Sequence, residues 1–377
     1  SRQGVAVNQS DPKLWKIRAD AAFSAKDFSL AADSYKKTAE LDRGDKGALK
    51  ALGKSLIELK RYEQALGAYE QVIALDPHDS EAWQLKATAL EWLERHEDAL
   101  TAVREAVHWN QTSQELRMME ASILTRLDRG DEALAAYDAA LRVSKDNIAA
   151  LRGKKEVLKT QKRHDEVIAV ADLILALTPK DKEALVDKGS AALLMKRPHD
   201  ALTAFNRALD IDKDDLDTLE LKKNALKELD DQEAVVHVCD RILDLSPKNK
   251  HAHADRAGAL EKLGRNVEAL KSYEEALELD PRDIFTLNRK GLLQLGTGKP
   301  AQAAEAFDYA IRLDPNQPFV LNNRGRAFLE LRRTEEALSD FRKAIKILPN
   351  VSEFHVNEGR ALATQGRFED SIQSFNE

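Results

Sequence analysis

Apolar residues along this chain fall three and four apart, as in Leu49, Leu52, Leu56 and Leu59, with charged residues between them. That is the period of one buried stripe on an α-helix, and not the alternation in twos of a strand. A short polar break at Lys60–Arg61 separates this stripe from a second one over Gln64–Leu75, so the pattern predicts helix, turn, helix. The pair then returns. Steps of 34 from Ala269 reach Val235, Ala201, Val167, Ala133, Ala99, Ala65 and Ala31 in one direction, and Ala303, Ala337 and Ser371 in the other. A period held without insertion is the mark of a stacked array, whose core runs along a line instead of filling one globule.

Counting in the same steps, the units start at Pro12, Lys46, Ser80, Gln114, Ile148, Lys182, Leu216, Lys250, Ile284, Pro318 and Ser352. This makes ten full units and most of an eleventh over 12–377, after a leader at 1–11. The residue before each of the first nine starts is Asp11, Asp45, Asp79, Ser113, Asn147, Asp181, Asp215, Asn249 or Asp283. These are helix N-cap types, whose side-chain oxygen accepts a bond from an orphan N–H. Gln317 and Val351 break the run; Pro318 suits the first helical position, and Ser352 is expected to cap one residue later. Pro77, Pro179, Pro247, Pro281, Pro315 and Pro349 close the second helices, because proline excludes the residue before it from the helical region.

Small residues fill the eighth place of most units (Ala19, Gly53, Ala87, Ala121, Gly189, Ala257, Gly291, Gly325, Gly359). Large aromatics fill the twenty-fourth (Tyr35, Tyr69, Tyr137, Phe205, Tyr273, Phe307, Phe341, Phe375). Small against large is core packing. With Leu287, Gly291, Ala303, Phe307, Ala310 and Pro315 at their spacings, the chain resembles the tetratricopeptide repeat (TPR) family over 12–377. The resemblance implies an all-α, right-handed α-solenoid of helix hairpins. Its concave wall would come from places two, five, six, nine, twelve and thirteen of each first helix.

Two units depart from the pattern. The fifth and seventh place Lys155 and Lys223 where small residues are expected, and Ala171 and Cys239 where aromatics are, so a two-unit duplication with altered local curvature is expected. The sequence ends inside the second helix of the last unit, with no polar helix over its apolar side. Either the native chain continues, or another chain, including a second copy, covers that side.

Charge and composition narrow the partners. The formal net charge is -7, which argues against nucleic acid or anionic lipid as the main partner. A single cysteine, Cys239, fits a reducing compartment and a cytoplasmic location. No apolar run is long enough to span a membrane. Metalloprotease, dinucleotide, phosphate-loop and hydrolase motifs are absent, so the chain reads as no enzyme and needs no cofactor. His251 and Asp255 stand four apart on one helix without a third ligand, which is too little for a metal site.

The implied groove wall is the better candidate. In the last three units it carries Phe285, Asn288, Arg289, Phe319, Asn322, Asn323, Arg326, Asn357 and Arg360. Asparagine offers a donor and an acceptor to an extended peptide, and arginine grips a carboxylate in two-point fashion. Asn323 and Asn357 stand one period apart and resemble the start of the asparagine ladder in TPR-containing glycosyltransferases, although Arg289 interrupts it. A second patch holds Lys50, Lys54, Gln84, Trp92, Met118 and Met119, with Trp92 as an aromatic anchor. The carboxylate clamp of other TPR proteins is unmet, since Lys54 stands where asparagine is wanted. The reading is a non-catalytic scaffold that takes a protein or extended peptide in its groove. The alternatives are the targeting arm of a larger enzyme, such as a glycosyltransferase, and a self-assembling scaffold.

Overall fold

The computed structural model describes residues 10–377, so most of the leader expected at 1–11 lies outside the described residues. Among the described residues there are helices and no strands. The chain divides into two compact units that meet at Ala191 and Ala192. In the first unit the hairpins are α1 (Pro12–Ser24) with α2 (Phe28–Leu41), α3 (Lys46–Glu58) with α4 (Tyr62–Leu75), and α5 (Ser80–Trp92) with α6 (His96–Trp109). They continue with α7 (Gln114–Arg126) and α8 (Gly130–Val143), then α9 (Ile148–Thr160) and α10 (His164–Leu177). Helix α11 (Lys182–Leu194) carries the division, and α12 (Pro198–Ile211) opens the second unit. There the hairpins are α13 (Leu216–Glu228) with α14 (Gln232–Leu245), α15 (Lys250–Lys262) with α16 (Asn266–Leu279), and α17 (Ile284–Gly296) with α18 (Pro300–Leu313). Then come α19 (Pro318–Glu330) with α20 (Thr334–Ile347), and α21 (Ser352–Thr364) with α22 (Phe368–Asn376). Within each unit every hairpin packs on the next.

The caps explain where first helices begin. Asp45 accepts from the Ala48 N–H at 2.9 Å, Asp79 from Ala82 at 3.0 Å and Asn147 from Ala150 at 3.0 Å. Each such bond stabilises by about 1 kcal/mol. Asp215 differs, because its carboxylate takes the Thr218 hydroxyl instead of a main-chain N–H. Ser352 does not cap: α21 starts with it, and Val351 supplies a backbone carbonyl to the Phe354 N–H at 2.9 Å. The second helix of the second repeat begins at Tyr62, two residues ahead of the apolar stripe. Between the helices of a hairpin, the fifteenth place of the repeat takes a left-handed backbone. It is Gly264, Gly298 or Gly366 in three repeats, but Lys60 (φ 59°) and other residues with a Cβ elsewhere. Lys60 and Arg61 donate back to Ile57 and Leu56, which closes α3 in the six-to-one and five-to-two pattern.

Glycine at the eighth place is a steric demand. A Cβ on Gly53 would lie 2.2 Å from the Tyr69 ring, and one on Gly325 would lie 2.6 Å from the Phe341 ring. Where the aromatic is missing, lysine fills the space. Lys155 is 1% exposed beside Ala171, and Lys223 is 2% exposed beside Cys239. Each ammonium reaches carboxylates on the next first helix: Lys155 meets Asp187 and Glu183, and Lys223 meets Asp255 at 2.7 Å. Lys159 and Lys227 share the same two aspartates from outside, at 2.7 and 2.5 Å. Burial opposes the Lys223 charge, but the Asp255 and Glu220 carboxylates outweigh it and hold its pKa above the usual lysine range.

A second regularity ties neighbours together. The twenty-fifth place of one repeat forms an ion pair with the seventh place of the next, sixteen residues on. In the first unit the pairs are Glu70–Lys86 at 3.0 Å, Arg104–Glu120 at 3.2 Å, Asp138–Lys154 at 2.5 Å and Asp172–Lys188 at 2.6 Å. In the second they are Asp240–Arg256 at 2.6 Å, Glu274–Lys290 at 2.9 Å, Asp308–Arg324 at 2.8 Å and Arg342–Glu358 at 2.8 Å. Arg104–Glu120 and Arg342–Glu358 carry the opposite polarity.

Candidate protein-binding faces

The first-helix face of α17, α19 and α21 gathers the residues of the larger predicted site, in two groups. Phe285 and Phe319, at the second place of consecutive first helices, stand 72% and 53% exposed. The Phe319 ring meets Phe354 edge-on with centroids 5.4 Å apart, which fixes it while leaving its other side open. Arg360 is exposed, with no ion-pair partner among the described residues. Arg326 makes only long contacts, 3.4 Å to Asn323 and 3.9 Å to Glu353.

The asparagines behave differently. Asn323 donates to the Asn288 side-chain oxygen at 2.9 Å, and Asn357 donates to that of Asn322 at 2.8 Å. Asn322, 1% exposed, also donates to Glu353 at 3.1 Å, while Asn323 and Asn357 are buried too. The expected rungs toward a bound peptide are therefore clasps between successive first helices. Places five and six of neighbouring helices face each other closely enough for amide to meet amide, so burial removes Asn322, Asn323 and Asn357 from direct ligand contact. Arg289 is also engaged: its guanidinium meets Glu261 at 2.8 Å and the Tyr273 hydroxyl at 3.4 Å. Burial works against its charge, and these two partners raise its pKa in spite of it.

The patch in the first unit is likewise partly spent on itself. Lys50 bridges Asp79 at 2.9 Å and Glu81 at 2.7 Å, and Lys54 meets Glu81 at 3.0 Å. Trp92 lies flat on Tyr62 of the preceding hairpin, 5.7 Å between centroids at 6°, and is still 59% exposed. Gln84, Met118 and Met119 are half-buried beside that run of first helices.

Asp255 is held by Lys223 and Lys227, so it is not open to pair with His251 around a metal. His253 is turned to the Pro247 carbonyl at 3.0 Å. Glu156, Glu183 and Asp187 approach one another within 4.8 Å, but the Lys155 and Lys159 ammonium groups already sit among them. Burial pushes the Cys239 thiol up to about 12, which makes it a core group and not a nucleophile. Sequence reasoning missed the half-buried arginine of α19. Arg324 takes Asp340 through two nitrogens at 2.7 and 2.9 Å, and Asp308 through a third at 2.8 Å. The signal was present as opposite charges spaced by sixteen.

Helices alternating at fixed lengths, glycine set against aromatic, and turns repeated in register define a tandem helix-hairpin repeat protein. Family models of the tetratricopeptide repeat match residues 22–88, 56–123, 251–283, 288–352 and 323–377, together more than half of the chain. The chain belongs to the tetratricopeptide repeat family. No curated protein matches it. Among solved structures it is similar to the Naa15/Naa10 complex bound to HypK-THB, at 15% identity and TM-score 0.50, over 87% of this chain and 67% of that one. It is also similar to YrrB, described as a TPR protein with an unusual peptide-binding site (17%, TM-score 0.44, 50% of this chain and 97% of that one). A third likeness is to MamA from Desulfovibrio magneticus (15%, TM-score 0.42, 43% and 91%). At these identities the likeness concerns the fold. That fold is one of protein-interaction scaffolds, and no helix among the described residues is long and apolar enough to cross a membrane.

Proposed function

We propose that the chain is a non-catalytic, cytoplasmic scaffold, read as eleven repeats over 12–377, that holds an extended segment of a partner protein against α17, α19 and α21. The observation behind this is the pair of phenylalanines, Phe285 and Phe319, presented one period apart on neighbouring helices that the asparagine clasps hold in register. Exposed aromatics on a rigid backing make good anchors, because little side-chain entropy remains to be lost on binding. Arg326 and Arg360, one period apart, add two cations for carboxylates of the same segment. The test is recovery of a partner from the native host by the intact protein and by a Phe285→Ala/Phe319→Ala variant. The variant should keep its helical circular dichroism and lose the partner, and equal recovery by both proteins refutes the reading.

A second reading rests on α22, where Phe368, Ile372 and Phe375 are all exposed. A second copy covering that face would give a mass above monomer in light scattering that rises with concentration. Constant monomer mass excludes it.

A further inference from the structure

The interface between the first two hairpins breaks three rules that the rest of the first unit keeps. Its twenty-fifth and seventh places are Lys36 and Leu52, so the ion pair found at the four following interfaces is missing. In other repeats an arginine at the sixteenth place bonds an acid at the nineteenth: Arg95 to Asp98 at 2.7 Å, Arg129 to Glu132 at 2.8 Å, Arg163 to Glu166 at 2.6 Å. Here the residues are Arg61 and Gln64, so the arginine has no acid. The twenty-second place is Gly67, where an added Cβ would meet nothing within 4 Å.

All three departures open onto one groove, between α2 and α4 over α3. Its volume is about 880 Å³, with Ala39, Leu49, Leu52, Leu56, Gly67 and Ala68 among its walls. The equivalent place between the third and fourth hairpins, where Arg104 and Glu120 make the usual pair, holds only about 260 Å³. The rim is unbalanced in charge. Lys36, Arg43 and Arg61 are exposed with no ion-pair partner among the described residues, whereas of the acids Asp33 and Glu40, Glu40 is already bound by Lys37 at 3.1 Å.

We propose that this groove receives an amphipathic helix of a partner protein, with its apolar face on Leu52, Ala74 and Leu75 above the buried Leu49 and Leu56, and its flanking carboxylates on Lys36, Arg43 and Arg61. A helix suits the groove because it bonds its own backbone groups and can lay one apolar stripe along the floor while carboxylates on either side of that stripe reach the basic rim. The groove follows α4 from Gln64 to Leu75, about 16 Å at helical rise, which accommodates about three turns. This site lies in the first unit and is independent of Phe285 and Phe319.

The probe is a stapled helical peptide of about 15 residues, leucine on one face and glutamate elsewhere, with a twin carrying lysine for glutamate. Binding to the whole protein is read by fluorescence anisotropy. Lys36→Glu/Leu52→Lys installs the ion pair of the other interfaces and closes the groove. Gly67→Leu fills it without touching charge. The acidic peptide should bind wild type at least about tenfold more tightly than either variant, and at least about tenfold more tightly than its lysine twin binds wild type. Phe285→Ala/Phe319→Ala should bind it like wild type. Failure of the acidic peptide to bind, equal binding by wild type and the closed variants, equal binding of the two peptides, or loss on changing the phenylalanines each overturns the proposal.

Discussion

If Lys223 stands in for a missing aromatic, exchanging both residues for the common pair should restore ordinary packing, while changing either alone should not. Lys223→Gly removes a buried chain from the middle of α13 and leaves the space beside Cys239 empty. The cavity costs about 2–4 kcal/mol, and glycine in a helix adds about 1 kcal/mol. Asp255 keeps Lys227 at 2.5 Å, so no buried carboxylate is stranded. Cys239→Tyr alone forces a ring against the lysine chain, an overpacking cost of about 1–3 kcal/mol. Simple addition predicts a loss of roughly 4–8 kcal/mol for the double variant. Complementary packing, as in Gly53 with Tyr69, predicts a loss no greater than about 2 kcal/mol and hence a coupling above about 2 kcal/mol. Urea unfolding followed by circular dichroism measures the four proteins. Because repeat arrays unfold in parts, amide exchange in α13, α14 and α15 assigns the loss to this place. Costs that add within about 0.5 kcal/mol would refute the idea that lysine replaces the ring.

Four further outcomes follow from geometry already described. Lys60→Gly should stabilise by roughly 0.5–1 kcal/mol, since a left-handed backbone costs a residue with a Cβ about 1–2 kcal/mol and glycine gives back part of this through unfolded-chain entropy; thermal unfolding reads the gain. Asn206 and Lys222 occupy the twenty-fifth and seventh places of the sixth and seventh repeats without the usual opposite charges; Asn206→Asp should supply the acid, and NMR titration should show the Lys222 pKa, now lowered by burial, move upward. Asn357→Ala should cost about 1–3 kcal/mol by leaving the buried Asn322 oxygen without a donor; a loss of partner affinity with unchanged unfolding would contradict the clasp. Burial raises the Asp255 pKa, but bonding to Lys223 and Lys227 outweighs it, so the net is downward. Its stabilisation is present above the unfolded aspartate pKa of about 3.9 and is lost as pH falls through the lower folded value. Amide exchange around α13 and α15 should therefore quicken in acid, and less so in Asp255→Asn.

The one-dimensional pattern carried most of the fold because each repeat meets only its neighbours. Asp45, Asp79 and Asn147 could be read as caps three residues before the N–H they accept from, and Gly53 could be set against Tyr69 by count alone. The site was less legible. Place in the repeat puts Asn322 and Asn357 on the wall, but whether a side chain on that wall faces a ligand or the next helix depends on the spacing between helices, which periodicity does not carry. Lys155 and Lys223 were visible as exceptions, yet their meaning required Asp187 and Asp255, each thirty-two residues on. The open groove beside Leu52 left the faintest trace, because it is defined by ion pairs that other repeats have and this one lacks.

The reversed polarity of Arg104–Glu120 and Arg342–Glu358 bears on how the array tolerates rearrangement. The repeat with Arg104 at its twenty-fifth place suits a follower whose seventh place is acidic, as Glu120 and Glu358 are; before a repeat with Lys86, Lys154 or Lys188 at its seventh place it would set cation against cation. The other six pairs share one polarity, so only these two seams distinguish their own neighbours from the rest of the series, by charge and without any change to the core.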